Sequence, residues 1–308
     1  MTWAARLFRL LVGLLLVIAV VLACFLALIP WVETRGATAE EAAAAYPGDE
    51  LIAEPVVRWT HGVTIDAPVE QVWPWVAQLG DGRGGFYTYT WIENLITGQN
   101  LYHNASAILP EFQNPQPGDV LIDQLIEVKE VRTGEYLLAG VKQDGLLGDV
   151  GEGMGWAWLW HLTPLGPRQT RLVVRLQASE APGMSPGAVR ALVNLAGWVM
   201  ETRMLRGIRD RAEGYVEPAW VEYAEIPLWL AALGAGLWSA GLFLTRRAWL
   251  PPLLVGLCAL AALFLFTYVQ PSPWVRLAID AALLALVIWA GQERQSRRVP
   301  ARASRTYR

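Results

Sequence analysis

Four long apolar runs limit what this 308-residue chain can fold into. Residues 7–32 are apolar apart from Arg9, and residues 226–244, 249–269 and 274–290 form three further runs. Each is close to the ~20 residues a helix needs to cross a bilayer. They also account for the composition: charged residues make up 17% of the chain, against about 25% in an ordinary soluble domain. Four transmembrane helices are therefore expected.

The placement of arginine orients them. Arg6 and Arg9 sit at the start of the first run, Arg246 and Arg247 fill the turn between the second and third, and the tail from Arg294 onward is strongly basic. The turn at 270–273 carries no charge. Four spans put both termini on one side, and the basic clusters all fall on it, which the positive-inside rule makes cytoplasmic. Residues ~35–222 are then expected on the outer face of a plasma membrane. Cys24 and Cys258 both lie in the expected spans, so the exported segment has no disulfide framework. The first run has a rival reading as a signal peptide, with VLAC at 21–24 resembling a lipoprotein cleavage site. Its apolar length exceeds a ~7–15-residue signal core, which favours an uncleaved anchor.

The expected organisation is an anchor at 1–34, an alanine- and acid-rich linker at 35–54, a folded domain at 55–216, a three-helix membrane region at 217–292 and a basic tail at 293–308. Within the domain, 55–68 reads as a strand with alternating β-branched residues. Val69, Val72, Trp73, Val76 and Leu79 recur at helical spacing. Residues 91–98 read as a second short helix ending at Gly98. Strand patterns follow at 118–122, 125–132, 135–142, 155–165 and 170–177. In the fourth of these, Trp156, Trp158 and Trp160 alternate with Ala157, Leu159 and His161. Residues 185–215 then carry a helical apolar stripe from Val189 to Ile208, with Gly214 as a stop. Such an order predicts an α+β fold. An antiparallel sheet curves around a long C-terminal helix that covers one face, leaving a gap that suits a hydrophobic ligand.

Gly80, Gly82 and Gly85 spell a formal G-x-G-x-x-G. A dinucleotide loop of that form follows a strand and opens a helix. This one leaves a helix, so a dinucleotide-binding role is not expected and the glycines read as permitting tight turns.

Residues 55–215 resemble the SRPBCC superfamily, the helix-grip fold of START-type lipid-transfer domains and polyketide cyclase-like proteins. The resemblance is carried by VTIDAPVEQVWPWVAQLG at 63–80 and by MLRGIRDRAEGY at 204–215. RGGFYTYTWIENL, PEFQNPQPGD, WAWLWHL and TRLVVRL are similar to a membrane-anchored bacterial subgroup of unassigned function. This likeness implies a helix-grip cavity, with the glycine loop placing Arg83, Phe86, Tyr87 and Trp91 at its open end. It does not fix an activity, because the fold hosts binding modules and enzymes alike.

Candidate ligand-binding residues are Arg83, Tyr87, Trp91, Glu93, Asn94, His103, Asn104, Gln113 and Trp158. Arg83 with Glu93 and Asn94 suits an anionic head group, or equally an Arg83–Glu93 ion pair tying loop to helix. His103 is the histidine suited to acid–base work, whereas His161 reads as a hydrogen-bonded core or cavity residue. Arg171 and Arg175 share one strand face, as a basic strip or a solvated one. The three histidines, His61, His103 and His161, lack metal-ligand spacing, so no zinc and no cofactor is expected. Nor is there a basic face for nucleic acid. The expected partners are the bilayer and a hydrophobic small molecule. Three roles stay open: a membrane-anchored lipid-binding module, a cyclase- or hydrolase-like enzyme using Glu93 or His103 as base and Arg83 for developing charge, and a membrane scaffold.

Overall fold

The structure, a computed structural model, describes residues 3–98, 102–142, 155–181, 183–246 and 248–292. Arg247 and the basic tail lie outside these residues. The chain divides into two compact units, residues 18–224 and residues 1–17 with 225–308.

The first unit is built on a six-stranded antiparallel sheet: β1 (Val57–Ile65), β2 (Val120–Ile122), β3 (Ile126–Arg132), β4 (Tyr136–Val141), β5 (Trp156–Gly166) and β6 (Gln169–Ala178). The order across the sheet is β1-β6-β5-β4-β3-β2. The first strand therefore closes against the last, while the others form a meander of hairpins. Sequence patterning predicts every one of these strands. The helices of this unit begin with α1 (Trp3–Glu33), which enters it from residue 18, and α2 (Ala39–Ala43). They continue with α3 (Val69–Ala77), α4 (Thr90–Thr97), α5 (Pro186–Leu192) and α6 (Trp198–Ala212). Between α5 and α6 runs a π-helical stretch, Val193–Gly197, so the helical path from Pro186 to Ala212 is unbroken.

One face of the sheet is packed by α3 and α6. Ile65, Leu137, Trp160, Leu172 and Val174 meet Val72, Trp73 and Val76 of α3 and Met204 and Ile208 of α6 in one core. This is the helix-grip arrangement: an antiparallel sheet with a long C-terminal helix along its inner face. The tryptophan alternation is as expected, since Trp160 and Leu162 lie in this core while Leu159 belongs to a cluster on the opposite face. His161 faces that outer side too, stacked on Tyr136 with centroids 6.3 Å apart and edge-on to Tyr46 at 5.6 Å.

The outer face supplies a correction. Residues 35–51, expected to be a linker, lie on the sheet. Arg171 donates two bonds of 2.7 Å to Glu41, and Arg175 donates two of 3.0 Å to Asp49. Arg175 also donates to Thr60 Oγ1 and the carbonyls of Ala42 and Ala44. Tyr46 packs with Tyr136, Leu138 and Leu159. Arg171 and Arg175 do share a face, but it is neither a basic strip nor a solvated surface. Two acids from the preceding segment cover them, and Arg175 is 4% exposed. A bidentate carboxylate satisfies a guanidinium's fork and charge together, which lets arginine sit beneath a layer of protein.

The second unit contains α7 (Trp220–Thr245, from Glu225 onward), α8 (Leu250–Phe264), a π-helical stretch Leu265–Val269 and α9 (Pro273–Gly291). These helices pack through Ala232, Ala259, Ala262, Phe266 and Leu283. An Arg276–Glu225 pair at 2.9 Å is buried on both sides. Four helical segments are long and apolar enough to cross a membrane: Leu10–Glu33, Trp220–Thr245, Leu250–Val269 and Pro273–Gly291.

Candidate functional site

The glycine loop explains how the site is assembled. Gly80, Gly82 and Gly85 all have positive φ, and Gly80 and Gly85 bridge each other. A Cβ on Gly85 would sit 2.4 Å from the carbonyl oxygen of His103. The glycine thus allows segment 102–107 to cross the loop, where Ala105 N donates to Gly84 O at 2.9 Å and Asn104 Nδ2 to Thr88 O at 2.8 Å. Beyond the loop, Tyr87 is held at φ 58, an uncommon conformation for a bulky residue. Its ring is clamped on two sides. Trp75 meets it edge-on at 5.9 Å and accepts a 3.0 Å bond from its hydroxyl. The Arg211 guanidinium lies 4.5 Å over its centroid. Burial pushes the Tyr87 hydroxyl's pKa up, so it stays a neutral donor.

These elements wall a cavity of about 460 Å³. Tyr87, Thr88 and Thr90 form one side and His103, Asn104 and Ser106 a second. Arg203, Arg206, Gly207, Asp210 and Arg211 of α6 form the floor. Residues 216–219 with Glu222 and Tyr223 close the fourth side. Three arginines and three acids line it. Glu217 receives both Arg203 Nη2 and Arg206 Nη2, the latter at 2.5 Å. Glu222 caps the start of α4, accepting from the Thr90 amide at 2.9 Å and from its hydroxyl. Arg211 donates to the carbonyls of Ala105 and Gly207, and burial lowers its pKa. Asn104 Oδ1 is buried with no donor among the described residues.

Glu93 stands behind Thr88, whose hydroxyl donates to it at 2.5 Å. Burial raises its carboxyl to about 7; the Glu222 and Asp81 carboxylates add to this, and the bond from Thr88 opposes it.

The residues expected to bind ligand separate into two groups. Tyr87, His103 and Asn104 line the cavity. Glu93 adjoins it through Thr88. The others are placed elsewhere. Arg83 does not pair with Glu93: it donates to Asp119 at 3.3 Å and Ala77 O at 3.0 Å, and lies 4.7 Å over Phe112. Asn94 exchanges two bonds with the backbone of Tyr102, at 3.2 and 2.9 Å. Gln113 donates to Pro74 O, Leu109 O and Gln78 Oε1, at 3.1–3.3 Å. Trp158 packs between Phe86, at 5.7 Å, and Trp160, at 4.5 Å. Trp91 lies beside Tyr89, at 6.4 Å. Asn94 and Gln113 spend their polar atoms on neighbouring segments, as polar groups that are partly buried do by default.

Sequence reading missed Arg203, Arg206, Arg211, Glu217, Glu222, Thr88 and Thr90. The arginines occur in ETRMLRGIRDRAEG, which reads as the solvated face of an amphipathic helix. Glu217 and Glu222 fall beyond the expected domain end at 216, so the boundary itself cut the cavity in two. The recurrence of arginine at 203, 206 and 211, on the face that also carries Gly207, was the available signal.

No protein-family model matches the chain, and no curated protein sequence does. Among solved structures, it is similar to a START superfamily protein from Mycobacterium smegmatis, at 16% identity and a TM-score of 0.28, covering 51% of this chain and 97% of that one. It is similar to truncated norcoclaurine synthase from Thalictrum flavum, at 12% identity and a TM-score of 0.31, covering 52% and 94%. A third is the di-domain ARO/CYC protein StfQ of the steffimycin biosynthetic pathway, at 12% identity and a TM-score of 0.29, covering 51% and 50%. The strand order and the long helix along the inner face define the helix-grip fold.

Proposed function

We propose that the protein is a membrane-anchored binding module whose helix-grip domain receives the polar end of an amphipathic small molecule in the Arg203–Arg206–Arg211 cavity. The observation that carries this reading is where the cavity's fourth side comes from. Residues 216–223 run directly into a helix apolar enough to cross a membrane. Trp220 and Tyr223 on this stretch, and Tyr215 just before it, are more than half exposed, and aromatic residues of this kind favour the bilayer interface. A ligand partitioned in the membrane would meet the cavity with its polar end first. Inside, arginines and an unmatched Asn104 oxygen offer both donors and an acceptor. The arginine distribution supports both termini in the cytoplasm with the domain outside.

The test is native mass spectrometry of the full chain purified in mild detergent. A small amphiphile should be retained by the wild type and lost from Arg211→Ala, while Arg83→Ala keeps it. Equal retention by wild type and Arg211→Ala would remove the cavity from the proposal.

A second reading, an acid–base enzyme, is favoured by Glu93. A carboxyl held to about 7 can give and take a proton near neutrality, and Thr88 links it to the cavity. Conversion of the retained amphiphile by wild type but not by Glu93→Gln would decide for it.

A further inference from the structure

We infer that the helical side of the folded domain rests on the bilayer itself, with Leu192 and Leu195 at one place and Leu95 and Ile96 at another bedded in the adjacent leaflet. This rests on the membrane-anchored reading above and extends it from the spans to the surface of the domain.

Two attachments decide which side of the domain meets the membrane. Glu33, the last residue of the apolar segment Leu10–Glu33, accepts two 2.8 Å bonds from Arg190 and one of 3.3 Å from Asn194. Both donors lie on the helical path from Pro186 to Ala212. Trp31, at the same end of α1, packs on Trp198 of that path with centroids 4.9 Å apart. Glu222, the third residue of the segment Trp220–Thr245, accepts from the amide of Thr90, the first residue of α4. The segment that leaves the bilayer and the segment that enters it are therefore both fastened to helices. The far face of the sheet lies beneath residues 35–51, through Glu41 on Arg171 and Asp49 on Arg175. From the membrane outward, the order is helices, sheet, covering segment.

The two fastened elements also expose paired apolar side chains. Leu192 ends α5 and Leu195 lies in the π-helical stretch, 56% and 44% exposed. Three residues apart, they share a helix face, turned from the buried Val189 and Val193. Near its end α4 carries Leu95 and Ile96, 73% and 78% exposed. Leu51 and Leu165, elsewhere on the domain, stand singly, which is ordinary for a protein surface. Position selects lipid as the occupant of the pairs. Arg190 and Asn194 hold Leu192 and Leu195 within about one helix diameter, ~10–12 Å, of Glu33. There the headgroups of the leaflet are the nearest neighbours. A helix face of this kind beds about 5–10 Å into the headgroup boundary. The posture also holds the cavity at the leaflet, because Thr90 and Glu222 are among its walls.

The experiment places one nitroxide label at a time on the full chain in phosphatidylcholine vesicles, with Cys24→Ser and Cys258→Ala removing the native thiols. Labels go on Leu192→Cys, Ile96→Cys, Ala45→Cys over the far face of the sheet, and Leu16→Cys within α1. Collision with oxygen, which dissolves in lipid, is compared with collision with a water-soluble nickel chelate. Oxygen should dominate at Leu192→Cys and Ile96→Cys, at a depth of about 5–10 Å, and nickel at Ala45→Cys. Leu195→Cys and Leu95→Cys repeat the reading at the neighbouring residue if a first site disturbs folding. Nickel dominating at both pairs, with oxygen dominating at Leu16→Cys, overturns the inference and leaves the spans standing. Nickel dominating at Leu16→Cys as well removes the membrane-anchored reading and the inference together. Labels shielded from both reagents show protein over these residues and overturn it too, as does lipid contact at only one of the two pairs.

Discussion

Replacing Gly207 by alanine should destabilise the helix-grip unit, although glycine-to-alanine changes inside a helix ordinarily stabilise by up to about 1 kcal/mol. Gly207 lies in the middle of α6. An added Cβ would stand 2.6 Å from Tyr87 Cβ and 2.8 Å from Tyr87 O, where carbon contacts ordinarily settle at about 3.5–4.0 Å. Neither opposing atom is the free end of a side chain. Both belong to a residue fixed at φ 58 and gripped by Trp75 and Arg211, so no rotamer change relieves the overlap. Overpacking of this kind costs about 1–3 kcal/mol. Subtracting a propensity gain of about 1 kcal/mol leaves a net loss of up to about 2 kcal/mol, or a Tm lowered by up to roughly 8 °C for a unit of this size. Separation of Tyr87 from α6 also pulls it away from Arg211, so cavity binding should weaken as well. The assay is thermal unfolding of the purified chain followed by near-UV circular dichroism. Gly187→Ala serves as the control, because its added Cβ meets nothing within 4 Å; it should leave Tm unchanged or raise it slightly. A Gly207→Ala protein that melts above wild type, as the propensity gain alone would produce, would refute the close-approach argument.

Other outcomes follow from the same contacts. The Glu93 carboxyl, near 4.5 in the unfolded chain and about 7 in the folded one, binds its proton more tightly when folded. Its contribution to stability is present below pH ~4.5 and is lost as pH rises through ~7. Glu93→Gln should therefore flatten the fall of Tm between pH 5 and 8, and a profile identical to wild type would contradict the assignment. A chain started at Pro55 should aggregate, whereas one started at Thr34 should remain folded. The shorter one strips Glu41 and Asp49 from Arg171 and Arg175, and losing one partner of a buried pair costs about 3–5 kcal/mol; size-exclusion chromatography of the two separates the cases. Arg83→Ala should lower stability by about 1–2 kcal/mol through lost contacts with Ala77, Asp119 and Phe112, with affinity for the cavity ligand unchanged by titration. A cysteine placed at Thr133 should react with an impermeant maleimide on intact cells and one at Thr306 should not; the reverse pattern would invert the proposed orientation.

Periodicity determined a great deal by itself. The apolar runs, the alternation through β1–β6 and the helical stripe ending at Gly214 are all local signals, because a helix or strand that must bury one face writes its period into the chain. The stop at Gly98 and the turns at Gly80, Gly82 and Gly85 were legible for the same reason, since positive φ is most easily met by glycine. Partnership was not legible. Arg83 and Glu93 are ten residues apart and opposite in charge, yet Arg83 is drawn to Asp119 and Glu93 to Thr88. The acids over Arg171 and Arg175 come from 130 and 126 residues away, and their segment, rich in alanine and glutamate, has no period that announces a sheet beneath it. The cavity shows the same limit most clearly. Its walls come from the glycine loop, segment 102–107, α6 and the start of α7, and each reads locally as turn, loop, solvated helix face or membrane anchor. A binding site depends on which side chains converge, and convergence between distant segments is set by how the sheet closes and the helices pack.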